Sequence, residues 1–94
     1  MHIKWTTKAR NDLYSVEEYI SRDNPTAAVE TVLNIIETVE SLSTFTQIGR
    51  PGRVPDTREL LIPSLPFIVP YRVDSSTIVI LRVYHTSRKW PDRF

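Results

Sequence analysis

Cysteine is absent from this chain, which excludes disulfide frameworks, thiolate nucleophiles and cysteine-rich zinc sites. Long apolar runs are absent too, since Phe67 to Tyr71 is interrupted by Pro70 and a membrane-spanning helix needs roughly 18 apolar residues. The N-terminal residues lack the apolar core of a signal peptide. We therefore expect a soluble, cytoplasmic protein that does not interact with a membrane.

Net charge is also small. The chain carries 12 basic and 11 acidic side chains, a formal charge of +1. Residues 1–45 nevertheless hold four basic and seven acidic side chains, a balance of −3, whereas residues 46–94 hold eight basic and four acidic, a balance of +4. A basic second half suits an acidic or polyanionic partner, and it equally suits solvated arginines on an exposed sheet.

A length of 94 residues predicts one domain spanning residues 1–94. Chains of this size bury roughly 60 to 65% of their unfolded surface and fold without disulfides or metals. Repeats, low-complexity tracts and interdomain linkers are absent from the sequence. No metal or cofactor is therefore expected.

The stretch from Arg58 to Trp90 dominates the chain. It holds three runs rich in Leu, Ile, Val and Tyr, separated by PSLP and DSS, and this pattern predicts an antiparallel meander. In the last run, Thr77 to His85, alternation predicts two faces, one with Ile78, Ile80, Arg82 and Tyr84, the other with Val79, Leu81, Val83 and His85. Both faces are mostly apolar, so the face that the helices leave uncovered is expected to meet a third layer or a partner.

A short strand and a helix are predicted before the meander. His2 to Trp5 alternates polar and apolar residues, which indicates a strand. From Thr7 to Ser21 apolar residues recur at helical spacing, with Thr6 or Thr7 as the N-cap. This spacing predicts one buried face, formed by Ala9, Leu13, Val16 and Ile20.

A second helix is predicted from about Pro25 to Leu42. Asn24 suits its N-cap and Pro25 its first position, where a missing N–H costs nothing. The short turn between the helices predicts a near-antiparallel hairpin that needs a sheet beneath it. The predicted fold is therefore α+β, a small antiparallel sheet in the order β-α-α-β-β-β with the hairpin on one face. The predicted buried stripe of the second helix comprises Val29, Val32, Leu33, Ile36 and Val39.

The segment from Thr46 to Thr57 contains both glycines of the chain, two prolines, Arg50 and Arg53. So many turn residues predict a loop without regular structure, and long ordered loops in compact domains are often functional. The two arginines therefore either act directly on a partner or belong to a conformationally restricted tether.

Three further side chains each have two interpretations. Arg82 would be costly to bury unpaired, so we expect it either to lie at the sheet margin or to pair with an acid such as Glu59, and we favour a contact with a partner. His85, at a strand end, is either a functional imidazole or a hydrogen-bonded surface residue. Trp90 either stacks on a base or, as we favour, anchors the basic C-terminal tail, Arg88 to Phe94, on the domain.

The order of these elements is accompanied by several short motifs. They are Asn24-Pro25, Gly49-Arg50-Pro51-Gly52, Arg58-Glu59-Leu60, Pro70-Tyr71-Arg72-Val73, Ile80-Leu81-Arg82-Val83 and His85. In this order and spacing they resemble the RelE/ParE superfamily of bacterial toxins, the toxin halves of type II toxin-antitoxin modules. The resemblance covers nearly the whole chain. It implies a hairpin-covered sheet and a cognate antitoxin that wraps and neutralises the toxin in a hetero-oligomer.

The superfamily divides by mechanism. RelE-like members are ribonucleases that cut messenger RNA in the ribosomal A site, whereas ParE-like members inhibit DNA gyrase and cleave nothing. In RelE-like toxins an arginine lies three residues before the tyrosine that corresponds to Tyr71, and here that position is Ile68. The missing phosphate clamp favours the ParE-like branch.

Two functions of different class remain, besides a fold that has lost its activity. A ribosome-dependent endoribonuclease without a metal would use His85, Arg72 and Arg82 as its catalytic set. The favoured function is a non-enzymatic inhibitor of DNA gyrase. Its contacts to the target or the antitoxin are expected from Arg50, Arg53, Arg58, Arg82, Arg88, Lys89, Trp90 and Arg93.

Overall fold

The computed structural model describes residues 1–94 and contains two helices and six strands. The helices are α1 (Thr7–Ser21) and α2 (Pro25–Glu40), and one turn of 3-10 helix, Ser41–Ser43, continues α2. The strands are β1 (His2–Trp5), β2 (Arg50–Pro51), β3 (Arg58–Leu61), β4 (Phe67–Asp74), β5 (Thr77–Ile80) and β6 (Tyr84–His85). This order confirms the predicted α+β fold and adds β2.

One sheet is formed in the order β1-β5-β4-β3-β2, and β6 also pairs with β4. Every pair of neighbouring strands in the sheet is antiparallel except β1 and β5, which run parallel. The sheet is therefore mostly antiparallel rather than wholly so. The helical hairpin covers one face, where Ile35 and Val39 of α2 join Val69, Tyr71 and Ile80 in the core.

A bulge divides the predicted last strand into β5 and β6. Tyr71 of β4 pairs with Ile80, and Phe67 pairs with His85. Four steps along β4 therefore match five steps along its partner, which is the signature of a one-residue bulge. The extra residue reverses the alternation, so Val83 joins the core with Ile80. The predicted faces are thus wrong from Arg82 onward, whereas Leu81 lies opposite Ile80 as predicted.

Side chains from the start of α1 hold this bulge in place. Thr6, the N-cap of α1, accepts a hydrogen bond from the Ala9 amide and donates one to the Leu81 carbonyl, each 3.1 Å long. The Val83 amide donates to the Asp12 carboxylate at 3.0 Å. Backbone groups that the bulge leaves outside the strand ladder therefore have partners.

Local capping chemistry sets the helix boundaries. The Asn24 side chain accepts from the Ala27 amide at 3.0 Å, and Pro25 occupies the first turn of α2. Both predicted helix starts are thus confirmed. Neither helix combines the length and the apolar character that crossing a membrane requires.

The buried stripe of α2 lies about one position away from the prediction. Its buried residues are Ala28, Ile35 and Val39, whereas Val29 is 53% and Leu33 51% exposed. A small alanine, Ala28, occupies the buried position nearest the turn between the helices. The prediction chose the larger side chains and was wrong for Val29 and Leu33.

The glycine-containing segment is more regular than predicted. Arg50 and Pro51 form β2, which pairs with Glu59 and Arg58 of β3. The buried Glu59 carboxylate accepts from the Arg50 side chain at 3.0 and 3.2 Å and from the Arg53 amide at 2.7 Å. These charge-assisted bonds fix the segment against the sheet.

Candidate functional site

The back face of the sheet, the one opposite the helices, is covered by the chain itself. Tyr84 of β6 is buried, and its ring meets the Trp90 ring edge-on at a centroid distance of 5.0 Å. Phe94 lies 6.1 Å from Tyr84 and 6.3 Å from Trp90. The third layer expected over this face is therefore supplied by the C-terminal tail, and Trp90 anchors that tail.

The tail also contacts the glycine-containing segment. The guanidinium carbon of Arg53 lies 4.0 Å from the centroid of the Trp90 ring, a cation–π contact. Since Glu59 holds the Arg53 amide and lies 3.5 Å from its Nε atom, the segment and the tail form one connected surface. Arg53 is thus held in place from both sides.

A second network holds the start of the same segment. Tyr71, buried in the core, accepts from the Gly49 amide at 2.9 Å and donates to the Thr46 carbonyl at 3.0 Å. Burial raises the pKa of Tyr71, which keeps the phenol neutral. A Cβ on Gly49 would lie 2.6 Å from the Tyr71 ring, so this position needs glycine. Arg58 donates to the Gly49 carbonyl at 2.6 Å.

A basic recess lies where the tail meets the sheet margin and the start of α1. We call it the cationic pocket. It encloses about 300 Å³ and contains no histidine or carboxylate side chain. Its floor includes Leu81, Tyr84 and Phe94. Its charged lining consists of Lys8, Arg72, Arg82, Arg88 and Arg93.

Arg82 pairs with Asp12 of α1 and not with the predicted Glu59. Its Nε and terminal nitrogen atoms donate to the two Asp12 oxygens at 2.7 and 2.9 Å. The hydrogen bond to Asp12 is the main cause that raises the pKa of Arg82 above its usual value. Arg72 makes an exposed pair with Asp74 at 2.9 Å.

His85 lies on the other side of the sheet from the cationic pocket. It is paired with Phe67, and the two rings meet edge-on at 5.6 Å. Its Nδ1 atom accepts from the Ser87 amide at 3.1 Å. The groove beside it is bounded by α1, and Leu65 and Val83 supply part of its apolar wall. Arg88 lines this groove as well as the cationic pocket. The structure therefore does not bring His85 together with Arg72 and Arg82.

The remaining predicted residues belong either to the glycine-containing segment or to the C-terminal tail. Arg50, Arg53 and Arg58 hold the glycine-containing segment, whereas Arg88 and Arg93 line the cationic pocket. Lys89 is exposed and does not line the pocket. Sequence reasoning missed Lys8, because its charge reaches the pocket only through the contact between α1 and the bulge. No group of three or more histidine, aspartate or glutamate side chains is placed to hold a metal ion.

Comparison with protein families gives a match over residues 3–90, to the family described as ParE toxin of type II toxin-antitoxin system, parDE. The protein Y4kP of Sinorhizobium fredii is 40% identical over 89 residues, which cover 95% of this chain and 92% of Y4kP. Toxin RelE2 of Caulobacter vibrioides is 29% identical over 86 residues, with 92% and 96% covered.

Solved structures show the same relationship. A chain of the chromosomal ParDE system from P. aeruginosa superposes with a TM-score of 0.82 at 36% identity, covering 90% of this chain and 95% of that one. A chain of the RelBE2 toxin-antitoxin complex from Mycobacterium tuberculosis gives a TM-score of 0.53 at 27% identity, with 89% and 95% covered.

Proposed function

Because this chain belongs to the ParE toxin family of type II toxin-antitoxin systems, we propose that it arrests bacterial growth by binding DNA gyrase in the cytoplasm. In this proposal the chain cuts no RNA and acts by occupying a surface of its target. The basic tail and the cationic pocket supply the contacts.

The observation that carries this proposal is the separation of His85 from Arg72 and Arg82, the two arginines expected to act with it in a ribonuclease. Metal-free RNA cleavage needs a base, an acid and cations around one phosphate. The lining of the cationic pocket includes five cations but no histidine, aspartate or glutamate, and His85 packs against Phe67 on the other side of the sheet. Such a pocket suits binding better than proton transfer.

The identity of residue 68 supports the same branch. Ile68 stands where RelE-like toxins carry an arginine, and it is buried opposite Tyr84. No cation can therefore reach a phosphate from that position. The alternative, a ribosome-dependent endoribonuclease, is favoured by the likeness to Toxin RelE2 of Caulobacter vibrioides and to a chain of the M. tuberculosis RelBE2 complex, both of which are less similar to this chain than Y4kP and the P. aeruginosa chain are.

We propose in addition that a cognate antitoxin neutralises this chain in a hetero-oligomer. The related P. aeruginosa and M. tuberculosis chains belong to toxin-antitoxin systems. On this chain Val29 and Leu33 leave apolar surface exposed along α2, and such surface suits a protein partner.

Growth arrest by the His85→Ala variant tests the mechanism in cells. We expect the variant to arrest growth as the parent chain does, with messenger RNA intact, and coexpression of the antitoxin to restore growth in both strains. A ribonuclease that lost its general acid or base would instead be slower by about 10² to 10⁴. RNA sequencing after induction provides the readout. Codon-phased cuts that disappear in the His85 variant would overturn the proposed mechanism.

A further inference from the structure

The cationic pocket holds positive charge that the chain does not compensate. Of its charged lining, Arg82 is paired with Asp12 and Arg72 with Asp74. Lys8, Arg88 and Arg93 also line the pocket and make no ion pair. Like charges gathered in one recess repel each other, and a bound anion would relieve this repulsion.

The tail positions part of this charge. The guanidinium carbons of Arg88 and Arg82 lie 4.2 and 4.8 Å from the centroid of the Tyr84 ring. Tyr84 is itself buried and held edge-on by Trp90. A guanidinium stacked on a ring keeps its N–H donors free at its edge. Part of the donor set is therefore ordered before any ligand arrives, which lowers the entropic cost of binding.

We propose that the cationic pocket binds an acidic peptide segment of the target protein. The unpaired cations receive its carboxylates, and an apolar side chain of the segment packs against Leu81 and Phe94. The identity of the target rests on the proposed function, whereas the chemistry of the ligand rests on the pocket alone.

The geometry favours a peptide over a nucleic acid. Most of the cations are arginines, which bind carboxylates through two parallel hydrogen bonds. A recess of about 300 Å³ accommodates a few side chains, whereas a nucleic acid strand presents a row of phosphates spaced by about 3.4 Å along the axis. Stacking of successive bases also needs several free aromatic faces, but arginines contact the rings of Tyr84 and Trp90, which leaves Phe94 as the one aromatic ring of the pocket without such a contact.

The test is a binding measurement on the full chain with defined probes. A fluorescein-labelled peptide Gly-Glu-Glu-Leu-Glu-Gly is titrated and its anisotropy followed, with Gly-Gln-Gln-Leu-Gln-Gly as the uncharged control. We expect saturable binding of the acidic peptide only, stronger at low salt, where screening is weaker. The absence of saturable binding would overturn the proposal.

Charge-matched variants locate the binding. The double variant Arg88→Gln with Arg93→Gln should weaken binding of the acidic peptide by about tenfold or more, because charge-assisted contacts are lost. Lys4→Gln with Arg10→Gln removes the same charge from exposed residues that lie outside the pocket and should change affinity by less than about twofold. An equal loss of peptide affinity in the two double variants would overturn the proposal. Circular dichroism verifies the fold of each variant.

Two further measurements distinguish other ligands of the cationic pocket. A short DNA duplex that binds more tightly than the peptide, with the same dependence on Arg88 and Arg93, would identify a nucleic-acid site and overturn the proposal. In cells the pocket variant should lose growth arrest but still copurify with the antitoxin. The opposite pattern would assign the pocket to the antitoxin.

These outcomes separate the pocket from the proposed function. Gyrase inhibition without peptide binding would remove the pocket proposal and leave the toxin mechanism intact. Peptide binding without gyrase inhibition would retain the pocket and refute gyrase as the target.

Discussion

The Ile35→Asp variant is expected to lose its cooperative thermal unfolding transition near physiological temperature. Ile35 is fully buried in the core between α2 and the sheet, so the new carboxylate would be desolvated without a partner. The cost of several kcal/mol is comparable with a total stability of about 5 to 15 kcal/mol. Thermal melts followed by circular dichroism provide the measurement.

Leu33→Asp is the matched control on the same helix. Leu33 lies two residues away and is exposed to solvent, so the same carboxylate is hydrated there. We expect a change within about 0.5 kcal/mol. Equal destabilisation by the two substitutions would show that the buried stripe of α2 has been placed incorrectly.

Asp12→Ala is expected to destabilise the fold by about 1 to 4 kcal/mol, between the cost of breaking an exposed ion pair and that of breaking a fully buried one. The Arg82 and Asp12 side chains are only 20% and 17% exposed. The substitution leaves this guanidinium without a counter-ion and removes the acceptor of the Val83 amide. Urea titration measures the loss, and an unchanged slope would show that the variant still unfolds in one step.

Asp74→Ala is the control for Asp12→Ala. Asp74 also makes an ion pair with an arginine, Arg72, but both side chains are about half exposed. Pairs of this kind contribute about 0 to 1 kcal/mol. A loss as large as that of Asp12→Ala would contradict the role that we assign to the link between α1 and the bulge.

The elements that were predicted correctly from the sequence are those determined by interactions between residues close together in the chain. Thr6, Asn24 and Pro25 define helix starts through groups within one turn, so the sequence alone suffices there. The bulge could not be predicted, because it depends on how residues Phe67 to Tyr71 pair with residues distant in the chain. One extra residue then reversed the expected faces around Arg82 and His85.

The candidate site was predictable in composition but not in arrangement. The basic character of the second half of the chain identified Arg82, Arg88 and Arg93 as candidates. Their convergence depends on the tail folding back on Tyr84 and on the pair between Asp12 and Arg82, whose partners are 70 residues apart. No local pattern encodes contacts of that separation.

A DNA supercoiling assay tests the central claim most directly. Purified, folded chain is added to DNA gyrase with relaxed plasmid, and the supercoiled product is followed on an agarose gel. We expect inhibition that increases with the concentration of the chain and weakens when Arg88, Lys89 and Arg93 are replaced by glutamine, more so at low salt, where charges are less screened. Full supercoiling activity at a large excess of folded chain would contradict the proposed function.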